Sequence, residues 1–255
     1  MNSLLFKRLQ DIGVDDPAFE ARLILSYTKD ANEIEKILNR RATFEPLAKI
    51  FEDKGYYAHD FITTKDTLDP RPDSEAFLDC FFKFIAKEKT FTVADFGVGT
   101  GCQLFSVLHQ YPHAIGTGYD ISEKALAVAK RNQEKLKLTD RSILQMKDCF
   151  IDPIFDVSFD AVIANPPYLS EDDYAQIDAQ TKHDPKISLT VGGDGLIPYR
   201  TLAQNTSYLK KGGYLFLEIG STQEDDVTDL FKNTLTFLHA QKDLGGHIRI
   251  LTFQK

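Results

Sequence analysis

From Phe91 onward the chain alternates between short apolar runs and amphipathic segments, and this alternation restricts the fold more than any other feature. The apolar runs, rich in β-branched and aromatic side chains, predict buried strands. These strands are 92–96, 114–119, 142–146, 159–164 and 214–219. Segments with a helical period lie at 102–109, 122–136, 197–209 and 223–232. Strands that alternate with helices predict a parallel sheet with helices on both faces.

Two further apolar runs, 235–241 and 248–253, complete a predicted seven-stranded sheet. They are joined through Gly245-Gly246, and so short a link favours antiparallel pairing at the edge of the sheet. A turn at Lys211-Gly212-Gly213 is expected to precede the strand at 214–219. The fold class is therefore α/β, with a Rossmann-like arrangement of strands and helices.

The first part of the chain has a different pattern, which predicts short amphipathic helices up to about residue 50. Asp15-Asp16-Pro17 opens the second of them, and Phe19, Leu23, Ile24 and Tyr27 are expected to line its buried side. We predict a helical domain at 1–54, a β-hairpin linker at 55–70 and the α/β domain at 71–255. The helical domain fits a packing appendage and a partner-recognition module equally well.

Composition excludes several functional classes. The net charge of -8 and the pI of about 5.3 argue against a protein that tracks the backbone of a nucleic acid. Cys80, Cys102 and Cys149 lack the spacing of a zinc site or a disulfide framework. The N-terminus has no apolar secretory core, and no apolar segment is long enough to cross a bilayer. These features predict a cytoplasmic protein without a metal.

The stretch Asn165-Pro166-Pro167-Tyr168 follows the predicted strand 159–164 directly. The two prolines have fixed φ angles and no N–H group, so they hold the carbonyl of Pro166 stiffly. The Asn165 amide supplies a second acceptor oxygen, and Tyr168 adds a flat ring. Such a cup suits a planar NH₂ group on an amide or a nucleobase. An ordinary Asn-Pro turn that closes a strand is the structural alternative.

Other polar or glycine-rich positions also follow predicted strands. The loop from Gly97 to Gly101 follows the first strand, Asp120 the second and Asp148 the third. In a doubly wound sheet, ligands bind at these strand ends, and a carboxylate in the place of Asp120 can bind the hydroxyls of a ribose. A dinucleotide fingerprint would have Gly or Ala where Cys102 stands. Together with Asn165, the pattern favours S-adenosylmethionine.

From about Leu4 onward the chain resembles the HemK/PrmC family of methyltransferases, which act on the glutamine amide of the Gly-Gly-Gln motif in class I peptide chain release factors. The segments that carry the resemblance are short and spread along the chain. They are Glu45-Pro46-Leu47-Ala48, Pro70-Arg71-Pro72-Asp73-Ser74-Glu75, Asp95 to Gly101, Asn165 to Tyr168, Gly192-Gly193-Asp194-Gly195 with Tyr199-Arg200, and Leu217-Glu218-Ile219-Gly220. Asn-Pro-Pro-Tyr alone is shared with adenine methyltransferases.

The resemblance implies a class I methyltransferase sheet, S-adenosylmethionine as cofactor and a release factor as protein substrate. It implies cofactor-binding roles for a set of strand-end residues: Gly97, Val98, Gly99, Thr100, Gly101, Asp120, Asp148, Cys149 and Asn165. Substrate binding falls to Asn165, Pro166, Pro167 and Tyr168, and the catalytic group to Asn165, Pro166 and Tyr168. Acceptance of both amide N–H bonds would align the nitrogen with the methyl group for an SN2 transfer, with no metal and no covalent enzyme intermediate.

The chain departs from the family pattern at Val98 in the glycine loop, Cys149 beside the expected adenine, Asp69 before Pro70, and Phe44 before Glu45. We expect these departures to affect release-factor docking more than cofactor binding.

Two alternative functions stay open at this stage: methylation of an exocyclic amine on nucleic acid, and an inactive cofactor-binding protein that serves as an interaction module. Glu218 either touches the site or is a structural carboxylate. The long polar segment 169–195 is expected to carry His183 and Asp184 on a solvated lid face rather than as a catalytic pair. We expect a monomer that binds neither nucleic acid nor a membrane.

Overall fold

The structure is a computed structural model that describes residues 3–153 and 155–255. Over these residues the chain forms ten α-helices: α1 (Ser3–Ile12), α2 (Pro17–Tyr27), α3 (Ala31–Arg41), α4 (Leu47–Phe51), α5 (Ala76–Phe84), α6 (Cys102–Gln110), α7 (Glu123–Lys135), α8 (Glu171–Ala175), α9 (Ile197–Gln204) and α10 (Glu224–Phe231). The same residues form nine β-strands: β1 (Lys54–Tyr56), β2 (His59–Phe61), β3 (Thr92–Phe96), β4 (Ile115–Asp120), β5 (Ser142–Met146), β6 (Phe159–Ala164), β7 (Leu209–Glu218), β8 (Thr236–Lys242) and β9 (Ile248–Gln254).

Seven strands form one sheet in the order β5-β4-β3-β6-β7-β9-β8. Neighbours from β5 to β7 run parallel, whereas β9 pairs antiparallel with both β7 and β8. The predicted seven-stranded α/β sheet with an antiparallel edge is thus confirmed. In the described part of the chain, no helix has the length and apolar character that spanning a bilayer requires.

The register of the central strands decides which residues meet at the end of the sheet. Phe96 is paired with Ala164 on one side and with Tyr119 on the other. The next residues along each strand are Gly97, Asn165 and Asp120. Because parallel strands end at the same edge, the glycine loop, the Asn-Pro-Pro-Tyr stretch and the Asp120 carboxylate emerge side by side.

Both faces of the sheet are buried under helices. Val93 and Phe216 belong to a core cluster with α5 and α6, whereas Phe96 and Leu217 belong to a second cluster with α9 and α10. The side chains of successive strand residues alternate between these clusters, as the period of two requires. Burial on both faces accounts for the near-continuous apolar runs from which the strands were predicted.

Helices α1 to α4 enclose a separate small core, but of the four residues predicted to line the buried side of α2 only Ile24 is buried. Phe19, Leu23 and Tyr27 are 53%, 36% and 54% exposed, whereas Ala21 and Ile24 are fully buried. Ala21 and Ile24 belong to the same small core as Leu5 and Leu9 of α1, and the larger side chains of α2 are turned outward. Burial in so short a helix is set by its partners and not by its most apolar stripe.

Local backbone conformation sets several other features of the chain. Pro72–Glu75 forms a separate 3₁₀ turn ahead of α5, and α5 ends at Phe84 because Ile85 is extended. The expected turn at 211–213 lies inside β7, where the pairing with β6 shifts register. Phe44 has a φ of 63°, a left-handed conformation that favours glycine. The hairpin of β1 and β2 begins at Lys54, one residue before the predicted linker at 55–70. The division into three domains stays a prediction.

Candidate active site

A cavity of about 980 Å³ opens where β3, β4 and β6 end. Gly97, Asp120 and Asn165, the residues at the ends of these strands, all line it. The chain leaves β3 toward β4 and β5 on one side and returns as β6 on the other, so the cavity lies at the switch point of the sheet. The sequence prediction of a ligand site at this point agrees with the position of the cavity.

The glycine loop is held to the neighbouring strand by its own backbone. Gly97 and Val98 both donate N–H bonds of 2.8 Å to the carbonyl of Tyr119. Gly99 donates to Oδ2 of Asp120 at 2.9 Å. Four residues of the loop line the cavity, namely Gly97, Val98, Gly99 and Thr100.

Gly101, the fifth residue of the loop, lies behind the cavity wall and has a packing role. A Cβ atom there would lie 2.2 Å from the ring of Phe105, and the φ of 81° also favours glycine. Gly101 therefore lets the first turn of α6 close against the loop. Its predicted contact with the cofactor stays a prediction.

Asp120 presents a carboxylate that is fixed by the backbone at both oxygens. Oδ2 accepts from Gly99 and Oδ1 accepts from the N–H of Ser122, each at 2.9 Å. Burial raises the pKa of this carboxyl, and these N–H groups oppose the rise. Each oxygen retains acceptor capacity, so the group can bind two neighbouring hydroxyls.

Asp148 and Cys149 line the cavity on the far side of Asp120. Oδ1 of Asp148 accepts from the N–H groups of Phe150 and Ile151, which fixes the turn after β5. Cys149 is 2% exposed, and burial raises the pKa of its thiol well above the ordinary value. It therefore offers a small neutral surface to a ligand.

Asn165 and Pro167 line the cavity directly. Pro166 and Tyr168 do not belong to the wall, although they flank residues that do. Burial raises the pKa of the Tyr168 phenol, and its backbone carbonyl accepts from Nε2 of Gln223 at 3.1 Å. The side chain of Tyr168 packs against the core, and its predicted stacking role stays a prediction.

The glycine motif at 192–195 packs closely against the backbone of the Asn-Pro-Pro-Tyr stretch. A Cβ atom at Gly195 would lie 2.2 Å from the carbonyl oxygen of Tyr168, and the φ of Gly195 is 75°. No other residue allows the two segments to approach so closely without a backbone shift. Gly195 therefore acts on the shape of the Asn-Pro-Pro-Tyr stretch, whereas Gly192 of the same motif lines the cavity.

The expected solvated lid face at 183–184 is wrong for Asp184, which is 6% exposed. Its carboxylate lies 2.6 Å from Nζ of Lys49 and 2.5 Å from Nη2 of Arg71, and it accepts the N–H of Asp69 at 3.0 Å. His183 contacts the carbonyl of Thr43 through Nε2 at 2.7 Å. This part of the segment is therefore an anchor to the helical domain.

The anchor leads into a second wall of the cavity. Seven residues after Asp184 line it: Pro185, Lys186, Ile187, Ser188, Thr190, Val191 and Gly192. Pro70, Arg71 and Ser74 of the Pro-Arg-Pro-Asp-Ser-Glu segment also line the cavity, and Arg71 connects this segment to the anchor through its ion pair with Asp184.

Asp95 and Phe150 are among the wall residues to which the sequence analysis gave no role in the site. Asp95 is 2% exposed at the end of β3, and burial raises the pKa of its carboxyl to about 7. The ring of Phe150 packs against Gly97. Asp95 follows the same rule as Asp120, since both are carboxylates at the end of a buried strand, and that signal could have found it. Phe150 had no such signal.

Comparison with known proteins decides the family. Residues 65–242 match the family model described as the methyltransferase small domain. The release factor glutamine methyltransferase of Agrobacterium fabrum is 32% identical over 274 residues, which cover 98% of this chain and 94% of that protein. The enzyme of the same name from Caulobacter vibrioides is 34% identical over 265 residues, with 96% and 91% covered. The chain belongs to the HemK/PrmC family.

The fold comparison agrees with this membership. A crystal structure of a methyltransferase from Pyrococcus furiosus superposes with a TM-score of 0.55 and 18% identity, and it covers 89% of this chain and 99% of that one. At that identity the likeness concerns the fold alone. The predictions of the HemK/PrmC family, of a methyltransferase and of a class I methyltransferase fold are confirmed.

S-adenosylmethionine is the cofactor of a HemK/PrmC methyltransferase, and the wall residues fit it. Asp120 offers a fixed carboxylate to ribose hydroxyls, and the glycine loop brings backbone within reach without Cβ atoms in the way. Among the described residues, no group of three or more His, Cys, Asp or Glu side chains is arranged to hold a metal ion.

The exchange of Asp120 for alanine is expected to weaken S-adenosylmethionine binding by about 1–3 kcal/mol, because charge-assisted hydrogen bonds to the ribose are lost. Isothermal titration calorimetry measures this directly. Asp140→Ala removes an exposed aspartate outside the cavity and should leave the dissociation constant unchanged. An Asp120→Ala protein with wild-type affinity would remove this carboxylate from the ribose role.

Proposed function

We propose that this protein transfers a methyl group from S-adenosylmethionine to the side-chain amide nitrogen of the glutamine in the Gly-Gly-Gln motif of class I peptide chain release factors. The observation that carries the proposal is the position of Asn165. Its amide lines the same cavity as the glycine loop and Asp120, and it follows the strand next to theirs. An acceptor for a planar NH₂ group therefore faces the place where the methyl donor binds.

Methyl transfer to an amide nitrogen depends more on the alignment of the reacting groups than on a general acid or base. An amide nitrogen is a poor nucleophile because its lone pair is delocalised. Bound S-adenosylmethionine supplies an activated methyl group on a positively charged sulfur. The protein holds the amide nitrogen in line with that methyl group, and such positioning can supply a large share of the rate enhancement.

Asn165 is assigned the central role in this alignment. Its Oδ1 accepts one N–H bond of the substrate amide, and the carbonyl of Pro166 accepts the other. Asn165 and Pro167, on either side of that carbonyl, both line the cavity. Pro166 and Pro167 keep the backbone stiff, and Tyr168 anchors it to the core below.

The residues after the Asp184 anchor, together with Pro70 and Arg71, form a side wall of the cavity. Helix α8 adds Glu171 and Tyr174 to the lining. A glutamine on an extended loop, with glycines before it, can reach into such a cleft without a side-chain clash. This fits a protein substrate that offers a narrow, exposed loop.

We assign recognition of the release factor to the helical domain at 1–54. The outward side chains of Phe19, Leu23 and Tyr27 give α2 an apolar surface that an ordinary packing appendage does not need. We further propose that the protein acts as a cytoplasmic monomer and does not bind nucleic acid, in line with its net charge of -8.

A labelling assay tests the function. The purified protein is incubated with S-adenosylmethionine labelled in its methyl group and with a class I release factor, its Gln→Ala variant in the Gly-Gly-Gln motif, DNA or RNA. We expect label on the wild-type factor alone. Label on nucleic acid would support the exocyclic-amine alternative, and label on no substrate would support an inactive cofactor-binding protein.

A further inference from the structure

Glu218 is a buried carboxylate next to the active site for which the mechanism above has no role. It is the last residue of β7 and is 5% exposed. It does not belong to the cavity wall, so it does not touch a bound substrate or cofactor there. Burial of an ionisable group lowers the stability of the fold unless neighbouring groups stabilise its charge. Such groups are common at functional sites, and this makes Glu218 a candidate for a role in the reaction.

The strand register places this carboxylate beside Asn165. Ala164 of β6 pairs with Leu217 of β7, and the next residue on each strand is Asn165 and Glu218. Interactions with the side chains of Ser74 and Asn165 lower the pKa of Glu218 and so favour its charged form. Within residues 3–153 and 155–255, its Oε2 atom has no hydrogen-bond partner.

We propose that Glu218 is a positioning residue that orients the side-chain amide of Asn165, an inference that rests on the methyl transfer proposed above. An ionised carboxylate can only accept hydrogen bonds. Asn165 must therefore turn its NH₂ group toward Glu218, and this leaves Oδ1 to face the substrate amide. Without that constraint the amide can rotate by half a turn and present its own NH₂ group, which repels the substrate NH₂.

The protonation state of Glu218 sets how strongly the constraint acts. Burial raises the pKa of this carboxyl to about 7, and Ser74, Arg249 and Asn165 oppose the rise. Once protonated, the carboxyl can donate to Oδ1 of Asn165, and the flipped amide becomes favourable. The rate of methyl transfer should therefore fall as the pH drops through about 7.

Several other groups influence this titration from the elements around Glu218. They are Asp73 and Ser74 before α5, Tyr168 after β6, Tyr199 on α9, Arg249 on β9, Tyr56 on β1 and Cys102 on α6. Asp95 lines the cavity, and burial also raises the pKa of its carboxyl to about 7. Its protonation would also lower the rate at acidic pH, which would give the pH–rate profile an acid limb that does not depend on Glu218. The test must separate these two carboxyls.

Glu218→Gln keeps the shape of the side chain and removes its charge. Because glutamine can both donate and accept, Asn165 loses its preferred orientation. We expect kcat on a release factor to fall about 10- to 100-fold at pH 8, the effect of one lost charge-assisted hydrogen bond. The KM for S-adenosylmethionine should stay within about twofold, and the acid limb near pH 7 should vanish.

Ser74→Ala gives a second measurement that does not depend on the folding of Glu218→Gln. It removes a hydroxyl that lowers the pKa of Glu218, so the acid limb should move to higher pH. Asp160→Asn is the matched control, since Asp160 lies at the opposite end of β6 and pairs with Lys210 at 2.8 Å. It should keep the wild-type acid limb and kcat.

The outcomes separate this inference from the proposed function. An inactive wild-type protein would overturn the function itself. An active wild type together with a Glu218→Gln variant that keeps the acid limb would overturn the role of Glu218 and assign the limb to Asp95 or another group. A variant that loses stability but retains both kcat and its pH profile would show a structural carboxylate only.

Discussion

Replacement of Asn165 by alanine is expected to reduce methyl transfer by about 10³-fold, because the acceptor that aligns the substrate amide disappears. Cofactor binding should remain largely intact, since the glycine loop, Asp120 and Asp148 stay in place. Turnover with a labelled methyl donor and calorimetric titration of S-adenosylmethionine measure the two quantities separately. The large loss in kcat beside a small change in affinity is the signature of an alignment role.

Asn205→Ala is the matched control for this experiment. Asn205 follows α9, accepts the N–H of Ser207 at 2.9 Å and does not line the cavity. Its replacement should leave turnover within about twofold of wild type. An Asn165→Ala protein that binds the cofactor and still methylates a release factor at the wild-type rate would exclude the proposed mechanism.

The largest effect on stability is expected for Asp184→Ala, which should lower the free energy of unfolding by about 3–5 kcal/mol. Lys49, whose side chain is fully buried, would keep its charge without the carboxylate at 2.6 Å. The carbonyls of Thr64, Thr67 and His183 still accept from Lys49, which places the loss toward the lower end of that range. Urea unfolding followed by circular dichroism measures it.

An exposed pair provides the comparison. Asp53 lies 3.5 Å from Lys135, and both side chains are largely exposed. Asp53→Ala should cost less than about 1 kcal/mol, as exposed ion pairs do. The double variant Lys49→Met, Asp184→Ala should recover part of the lost stability, because no buried charge is then left unpaired. Equal losses for Asp184→Ala and Asp53→Ala would contradict the anchor role.

The strands and the residues that follow them were predictable because both depend on local sequence. A buried parallel strand is a short apolar run, and the glycine or polar residue after it marks where the run stops. In this way Gly97, Asp120, Asp148 and Asn165 could be placed at one edge of a sheet, and all four line the cavity.

Partners far apart in sequence could not be predicted in the same way. Lys49 and Asp184 are separated by 135 positions, and neither has a local pattern that points to the other. The apolar spacing of Phe19, Leu23 and Tyr27 predicted a buried face, yet packing around Ala21 and Ile24 turned them outward. Pairing and packing of this kind depend on how elements dock, which a single sequence does not contain.

By itself, the sequence determined the order of strands and helices, the strand-end residues and the resemblance to a methyltransferase family. Those features depend on side-chain periodicity and on backbone limits at glycine and proline, which act over a few residues. Only the tertiary structure decided that Asp184 is a buried anchor and that Glu218 lies beside Asn165. Both facts depend on how segments that are distant in sequence dock against each other. The burial of each carboxylate and the charges around it come from neighbours on several elements.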